Sequence, residues 1–412
     1  MLWNVRSKAR GIRMQLFDSL YYPNYRSYWL GSIAEHFGEY MELVALLWIT
    51  NKITASPFLL TLVGSCRFLP MVFLSLPGGL AADWFNRCNL LIVSLLGSIC
   101  LSVYLAVVYA SGLVTVWHLI AISLLHGVAM SFNHPVRQSI LPNLVESEHL
   151  INAISLETGS VLTSQAIAMP IAGCLIGSIG AASVFALRAA LVLLTIWWLI
   201  PIRTASIPAS PRRLTTWQDL SEAAHHMHAN VLIFGLVALL FVPRLSTNVY
   251  TSLLPIFAVN ILQIGPQGYG ILQGAPGWGS LIAFVTLASF RKLRNRKPLV
   301  FGMAIITGIL LAGFAESHWL IMSLSLLFLV GGLNTSIVIL DTAMIQSIIP
   351  NNMRGKIMSL PEIIRGLGTA AALIFGAIGE CTSTSFAILV LAGVCFFIPS
   401  SLFFLFPQRR NI

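Results

Sequence analysis

Four ionisable residues crowd into the first apolar stretch of the chain: Glu35, His36, Glu39 and Glu42. At 100° per residue the three carboxylates fall within an arc of about 60°, so a helix through them carries one acidic stripe on an otherwise apolar surface. Carboxylates placed this way repel one another and lose water, which favours a bound proton, and they titrate as a coupled set. Arg67, midway along the next apolar stretch, is the natural partner of Glu39, because the two helices of a hairpin place their midpoints at similar depth. His126, Arg188, Arg244 and Asp341 add further ionisable groups in apolar surroundings, and Glu362 with Arg365 makes an i,i+3 pair that reads as structural. Such groups suit proton carriage and the holding of a polar cargo.

The elements that position these groups follow from composition. Apolar side chains make up 57% of the 412 residues and Asp, Glu, Lys and Arg only 9%, far below the roughly 25% charged of soluble domains. Runs of about 20 residues with at most one or two charges are long enough to cross a bilayer as helices, and they are continuous rather than alternating, which excludes a membrane β-barrel. A charge at mid-bilayer costs at least about 2.5 kcal/mol, so the stripe must face the interior of a bundle. Spans are expected at about 27–50, 57–80, 89–110, 114–134, 152–173 and 181–202, then at about 230–259, 267–290, 298–315, 318–340, 358–379 and 384–406. The expected fold is an all-α polytopic membrane protein of twelve transmembrane helices. Residues 1–202 form one six-helix half, 203–229 a linker and 230–412 the other half.

Basic residues set the orientation. Of the 24 Lys and Arg, 19 fall in the N-terminal segment, the even-to-odd loops or the C-terminal tail, and one, Lys52, in an odd-to-even loop. The positive-inside rule then puts both termini and the linker in the cytoplasm, with the chain in the cell's inner membrane. The net charge of +10 is a topology signal, and "RKLRNRK", Arg291 to Lys297, reads as a loop facing anionic headgroups rather than a nucleic-acid site. The six cysteines lack CxxC spacing, and only Cys381 is expected outside, so neither a disulfide nor a zinc site is expected. "HHMH", His225 to His228, sits at the end of a short amphipathic helix starting at Thr216, where histidines suit the helix C-terminus without any metal. No cofactor is implied.

One phrase occurs twice. "RQSILPN", Arg137 to Asn143, returns as "IQSIIPN", Ile345 to Asn351, with six of seven positions identical or a Leu/Ile exchange. Both copies are expected in loops after an even-numbered helix, the fourth and the tenth. Equivalent loops on one side of the membrane imply parallel repeats related by an axis along the membrane normal. Taken locally the phrase is a helix-turn-helix connector.

"SPFLLTLVGSCRFLPMVFLSLPGGLAADWFNR", Ser56 to Arg87, with "HPVRQSILPNLVESEHLINAISL", resembles the major facilitator superfamily, specifically its drug:proton antiporter branch that includes enterobactin-type siderophore exporters. The superfamily motif G-x-x-x-D-R-x-G-R-R between helices 2 and 3 is met here by Gly79, Asp83 and Arg87, while Trp84, Asn86 and Cys88 depart from it. The resemblance implies the major facilitator fold and a gating role for this loop, in which Asp83 faces the start of helix 11. Glu39 stands where the family commonly has an Asp, which implies a proton-coupling site shared with Arg67, Glu35 and Glu42. His36, His126, Arg188, Arg244 and Asp341 are then cavity or supporting residues. The antiporter motif G-P-x-x-G-G is reduced to Pro170 and Gly173 in "AMPIAGCLIG", and the arginine many antiporters keep in helix 4 is missing from "AISLLHGVA".

The function implied is secondary active export of an amphipathic small molecule, drug or siderophore, against protons, by a monomer in the lipid bilayer. An importer of a siderophore or small nutrient is the alternative within the class, and a non-transporting sensor the alternative outside it. A membrane enzyme such as an acyltransferase would need a nucleophile at the surface, and none is evident; no P-loop supplies ATP chemistry either.

Overall fold

The computed structural model describes residues 17–74, 86–202, 231–289, 296–348 and 360–405. Among them there is no strand. Six helices precede residue 203: α1 (Pro23–Thr54), α2 (Pro57–Cys66, its apolar span continuing to Leu74), α3 (Arg87–Ala110), α4 (Val116–Ile140), α5 (Leu150–Ser178) and α6 (Ala181–Leu199). After residue 230 come α7, built of Val231–Leu239 and Phe241–Ile256 and ending in a π-helical turn, then α8 (Pro266–Ser289), α9 (Arg296–Ala315), α10 (Leu320–Ile348), α11 (Leu360–Cys381) and α12 (Thr384–Leu405). Ten of the described helices are long and apolar enough to cross a membrane. The two others are α1, whose 32 residues include the acidic stripe, and α11, with a shorter apolar stretch at Gly366–Cys381.

Local chemistry explains where the helices begin. Pro23 and Pro57 open α1 and α2, where a missing N–H costs nothing. The Ser56 hydroxyl accepts from the Leu59 N–H at 3.2 Å, the Asn86 side chain accepts from Cys88 and Asn89, and Thr115 with His118 closes a capping box on α4. Gly180, at φ +99, supplies the backbone conformation that turns α5 into α6.

Buried apolar side chains from both sets of helices merge into one large core, while Trp117, Trp197, Trp319 and Phe404 stay exposed, as lipid-facing side chains do. The two sets meet backbone to backbone between α5 and α8. A Cβ added to Gly173 would lie 2.5 Å from the Pro266 carbonyl oxygen and 2.7 Å from the Gly270 Cα, so backbone touches backbone there. Gly274 meets the Pro170 ring, which α5 carries without breaking. α2 lies along α11, where the Ser65 hydroxyl donates to the Thr369 carbonyl at 3.1 Å.

The end of the bundle where α1 finishes and α2 starts, here the far end, is closed. Asn51 donates to the Pro255 carbonyl at 3.4 Å, Trp48 stacks on Tyr269 with ring centres 5.3 Å apart, and one Glu380 oxygen accepts from the Ser56 hydroxyl at 2.5 Å and the Phe58 N–H at 3.2 Å.

Some boundaries differ from the sequence reading. α4 continues beyond residue 134 to Ile140 and ends in a 3-10 turn at Leu141–Asn143, so the first copy of the repeated phrase begins inside the helix. α10 likewise runs on to Ile348, and Asp341 is a helix-interior residue rather than an end group. The cause is the same in both places: a polar or charged residue was read as leaving the bilayer, whereas here it faces protein. Gly79, Asp83 and the 203–230 segment with its histidines lie outside the described residues, as do the side chains of Glu362 and Arg365.

Candidate functional site

The acidic stripe of α1 does face the bundle interior, but it divides into two charge networks. Glu35 and Glu42 are seven residues apart, about 10 Å along a helix axis. That separation gives them different neighbours.

The first network is centred on Glu42, whose side chain is 1% exposed. Arg188 of α6 approaches it through Nε at 3.3 Å, His126 of α4 through Nδ1 at 3.6 Å and Arg67 through Nη1 at 3.9 Å. Arg67 also reaches Glu39 through Nη2 at 3.5 Å, and Glu39 is 23% exposed. Two guanidiniums and two carboxylates thus balance in an almost dry setting, with Glu39 the member open to solvent. Arg67 sits where α2 loosens into a turn at Arg67 and Phe68, and Arg188 additionally donates to the Glu35 main-chain carbonyl at 3.0 Å. Gly38 makes room for that arginine: a Cβ there would lie 2.7 Å from the Arg188 Cδ.

The second network is centred on Arg137 of α4. It forms an ion pair with Glu35, donates to Ser32 Oγ at 2.6 Å and Asn133 Oδ1 at 2.8 Å, and lies 3.7 Å from Glu157 of α5. Asn133 donates to Glu35 at 3.1 Å, and the Arg137 guanidinium sits over the Tyr28 ring at 5.6 Å. His36 lies at the edge, with Nε2 4.0 Å from Glu157. Sequence reasoning misses Arg137 and Glu157, because it places Arg137 among the loop cations and reads the repeated phrase as a connector. The usable signal was i,i+4 spacing, since Asn133 and Arg137 share one face of a continuing α4.

The remaining expected residues scatter. Asp341 is fully buried in α10, and neither carboxylate oxygen has a hydrogen-bond partner among the described residues. Arg244 is half-buried in α7, with its Cβ beside Gly368 of α11. Arg87 donates to the Ser139 carbonyl at 2.9 Å, tying the start of α3 to the end of α4. A narrow cleft lies between α1, α2, α7 and α11, lined by Leu43, Leu47, Ser65, Phe68, Asn248 and Thr369. Leu43 and Phe68 directly follow Glu42 and Arg67 in the chain, so the cleft adjoins the first network.

A bundle of apolar helices long enough to cross a membrane, arranged in this way, has the architecture of the major facilitator class of transporters. The chain belongs to the transmembrane secretion effector family, which it matches over residues 16–410. It is 22% identical over 364 residues to the staphyloferrin A transporter of Staphylococcus aureus (strain NCTC 8325 / PS 47), covering 87% of this chain and 90% of that one. Among solved structures it superposes on the nucleoside transporter NupG with a TM-score of 0.73 at 14% identity, covering 94% of this chain and 100% of that chain. The inward-open xylose transporter XylE from E. coli gives 0.70 at 14% identity, over 94% and 97%. At these identities the likeness establishes the fold alone.

Proposed function

We propose that the protein is a proton-coupled exporter of an amphipathic small molecule of siderophore type, in the inner membrane, with both termini cytoplasmic. The two six-helix halves, 1–202 and 230–412, rock so that the charged groups of the first network face one side and then the other. The observation that carries this reading is the Glu39–Arg67 pair, partly exposed and backed by the buried Glu42, Arg188 and His126. A proton on Glu39 removes its attraction to Arg67, and loss of that proton restores it. A cargo that prefers the unprotonated wall is loaded from the cytoplasm and displaced when the cleft meets the more acidic exterior. The secretion named for the family supports export, and the staphyloferrin A transporter supports a siderophore as cargo.

Gly79, Asp83 and Arg87 form the gating loop of this scheme, and Asp83→Asn shifts the protein away from its outward-facing state. The test is a deletion strain compared with its parent for siderophore in the medium and for drug sensitivity, followed by proteoliposomes with the cargo so found. Lost secretion, with substrate-dependent proton flux that Glu39→Gln abolishes while exchange persists, is the expected result. Lost uptake instead of lost secretion reverses the direction, and normal proton-coupled flux in Glu39→Gln overturns the coupling role.

A further inference from the structure

The two sets of helices meet along two seams, α5 with α8 and α2 with α11, and the seams are built differently. Along α5 and α8 main chain lies on main chain. A Cβ added to Gly270 would lie 2.7 Å from the Gly173 Cα, and one added to Gly277 would lie 2.7 Å from the Ala166 nitrogen. Backbones this close leave no side chain between them to turn aside. Both helices also run unbroken through the contact, Pro170 and Pro276 included. Along α2 and α11, by contrast, glycines meet side chains and hydrogen bonds cross the gap. Gly376 lies against Thr61 and Gly366 against Val72, the Ser65 hydroxyl donates to the Thr369 carbonyl, and Glu380 accepts from the start of α2. Side chains can rotate away, and exposed polar groups can exchange partners with little net cost.

Among the described residues of these four helices, the α-helical run breaks in α2. It stops at Cys66, passes through a turn at Arg67 and Phe68 and resumes at Leu69. The Phe68 N–H goes to the Ser65 carbonyl at 2.9 Å and the Met71 N–H to the Phe68 carbonyl at 3.1 Å, each one residue short of the α-helical step. Pro70 has no N–H to offer Cys66, which accounts for the break. The break stands beside the Ser65–Thr369 bond, and Ser65, Phe68 and Thr369 all line the cleft. The bond that closes the seam is therefore also part of the cleft wall. Leu69 and Phe73 of α2, with Leu367 and Ile374 of α11, are exposed on the same two helices, as lipid-facing side chains are.

We infer that the α2–α11 seam is a side entrance through which cargo passes between the bilayer and the cleft, while the α5–α8 seam stays shut as the hinge. The inference rests on the export of an amphipathic molecule proposed above and adds the route that such a cargo takes. The cleft wall fits that cargo. Leu43 and Phe68 give it an apolar side, and Ser65, Asn248, Thr251 and Thr369 give it hydroxyl and amide groups without charge. A matching molecule joins an apolar part to uncharged hydrogen-bonding groups, and its apolar part carries it into the bilayer before it meets the protein. The turn at Arg67 and Phe68 lets the two parts of α2 tilt separately, so the seam can part without unmaking the whole helix. Arg67 stands in that turn and holds Glu39 and Glu42, so the first network and the entrance share one residue.

The test uses the full-length protein in liposomes, with spin-labelled cysteines in a background lacking native cysteines. Phe73→Cys with Leu367→Cys spans the entrance and Ile171→Cys with Ile271→Cys spans the hinge, all four positions being exposed. The entrance pair should show two distances, the longer gaining population in Ser65→Ala, while the hinge pair keeps one. A label on Thr251→Cys, inside the cleft, separates lipid from water. On adding Ser65→Ala it should gain collisions with molecular oxygen, which concentrates in the bilayer, and not with a water-soluble nickel chelate. A single entrance distance that Ser65→Ala leaves unchanged, a hinge pair as spread as the entrance pair, or a Thr251 label that gains only the chelate overturns the inference. Cross-links supply the transport readout, with the cargo identified by the secretion comparison. A Cβ at Gly366 would lie 3.5 Å from the Val72 Cβ, within disulfide range, so Val72→Cys with Gly366→Cys should stop cargo flux on oxidation and restore it on reduction. Gly177→Cys with Gln267→Cys, across the hinge, should carry cargo in both states. Arrest by the hinge cross-link, or flux that ignores the entrance cross-link, also counts against the side entrance. Wild-type flux that needs no proton gradient instead defeats the coupling reading, and the label distances, taken without cargo, still decide the entrance.

Discussion

Glu42 and Glu39 lie one turn apart on α1 and share Arg67, yet the structure assigns them different work. Glu42 is the counter-ion for two guanidiniums in a dry interior, with Arg188 at 3.3 Å and Arg67 at 3.9 Å. Replacing it by Gln keeps the shape and removes the charge, which leaves Arg188, itself 1% exposed, with no anion in contact. Breaking a buried pair from one side costs about 3 to 5 kcal/mol, because the remaining charge stays desolvated. Glu39 is more open and has one cation at 3.5 Å, so Glu39→Gln should cost about 1 kcal/mol or less. Thermal unfolding of the two variants in the same detergent, followed by tryptophan fluorescence, should show a much lower midpoint for Glu42→Gln and a near-native one for Glu39→Gln. Removing a buried cation as well, in Glu42→Gln with Arg188→Gln, should recover part of the loss, because the two residues are in contact and their effects do not add. Equal midpoints for the two single variants, or a double variant as unstable as the sum of its parts, would refute the assignment of Glu42 as a structural counter-ion.

Gly173→Leu should block transport and lower stability, since its side chain must push apart α5 and α8 where backbone meets backbone; native cargo flux would remove this crossing from the mechanism. Ala55→Gly should raise the unfolding midpoint by an amount equivalent to about 1 kcal/mol, because Ala55 holds φ 48 and ψ 18 at the end of α1, a left-handed conformation that costs a residue with a Cβ. Single cysteines at the exposed Leu113 and at the exposed Ser147, placed in a background lacking native cysteines, should label from opposite sides of intact cells, Leu113→Cys from outside. Labelling of both from one side would undo the proposed orientation.

Much of this arrangement was legible from the residues themselves. The approximate position of each described helix followed from apolar run length, and the Glu39 to Arg67 contact followed from depth matching across a hairpin. What escaped was whatever depended on which side of a helix meets protein. Arg137 looks like a loop cation because cations usually mark the bilayer edge, and only its burial against Ser32, Asn133 and Glu35 shows otherwise. Asn51 lies just past the expected 27–50 span, yet α1 runs on to Thr54 and Asn51 is 8% exposed and bonded to Pro255. Apart from Asn133, one turn away on α4, the partners of these residues come from helices about 100 or 200 positions away, and no local period encodes such a meeting. The acidic stripe shows the limit of angular arguments: the angles were right, but the seven-residue separation along the axis divided it between Arg67 with Arg188 at one level and Arg137 at the other.

In the proposed cycle, the closure made by Glu380 would be broken and remade at every turn. Its carboxylate, arriving from α11, supplies an acceptor to the first turn of α2, where the Phe58 N–H has no helical partner, and takes the Ser56 hydroxyl as well. Parting α11 from α2 at this end therefore strips a helix of a borrowed cap and returns a carboxylate to water. Both groups are exposed, so water replaces most of what is lost and the difference is on the order of 1 kcal/mol. That is a small weight, but under the proposed alternation between two states a small weight shifts the populations. Glu380 would then set how much of its idle time the molecule spends shut at this end, and with it the fraction of molecules ready to accept a cargo from the other.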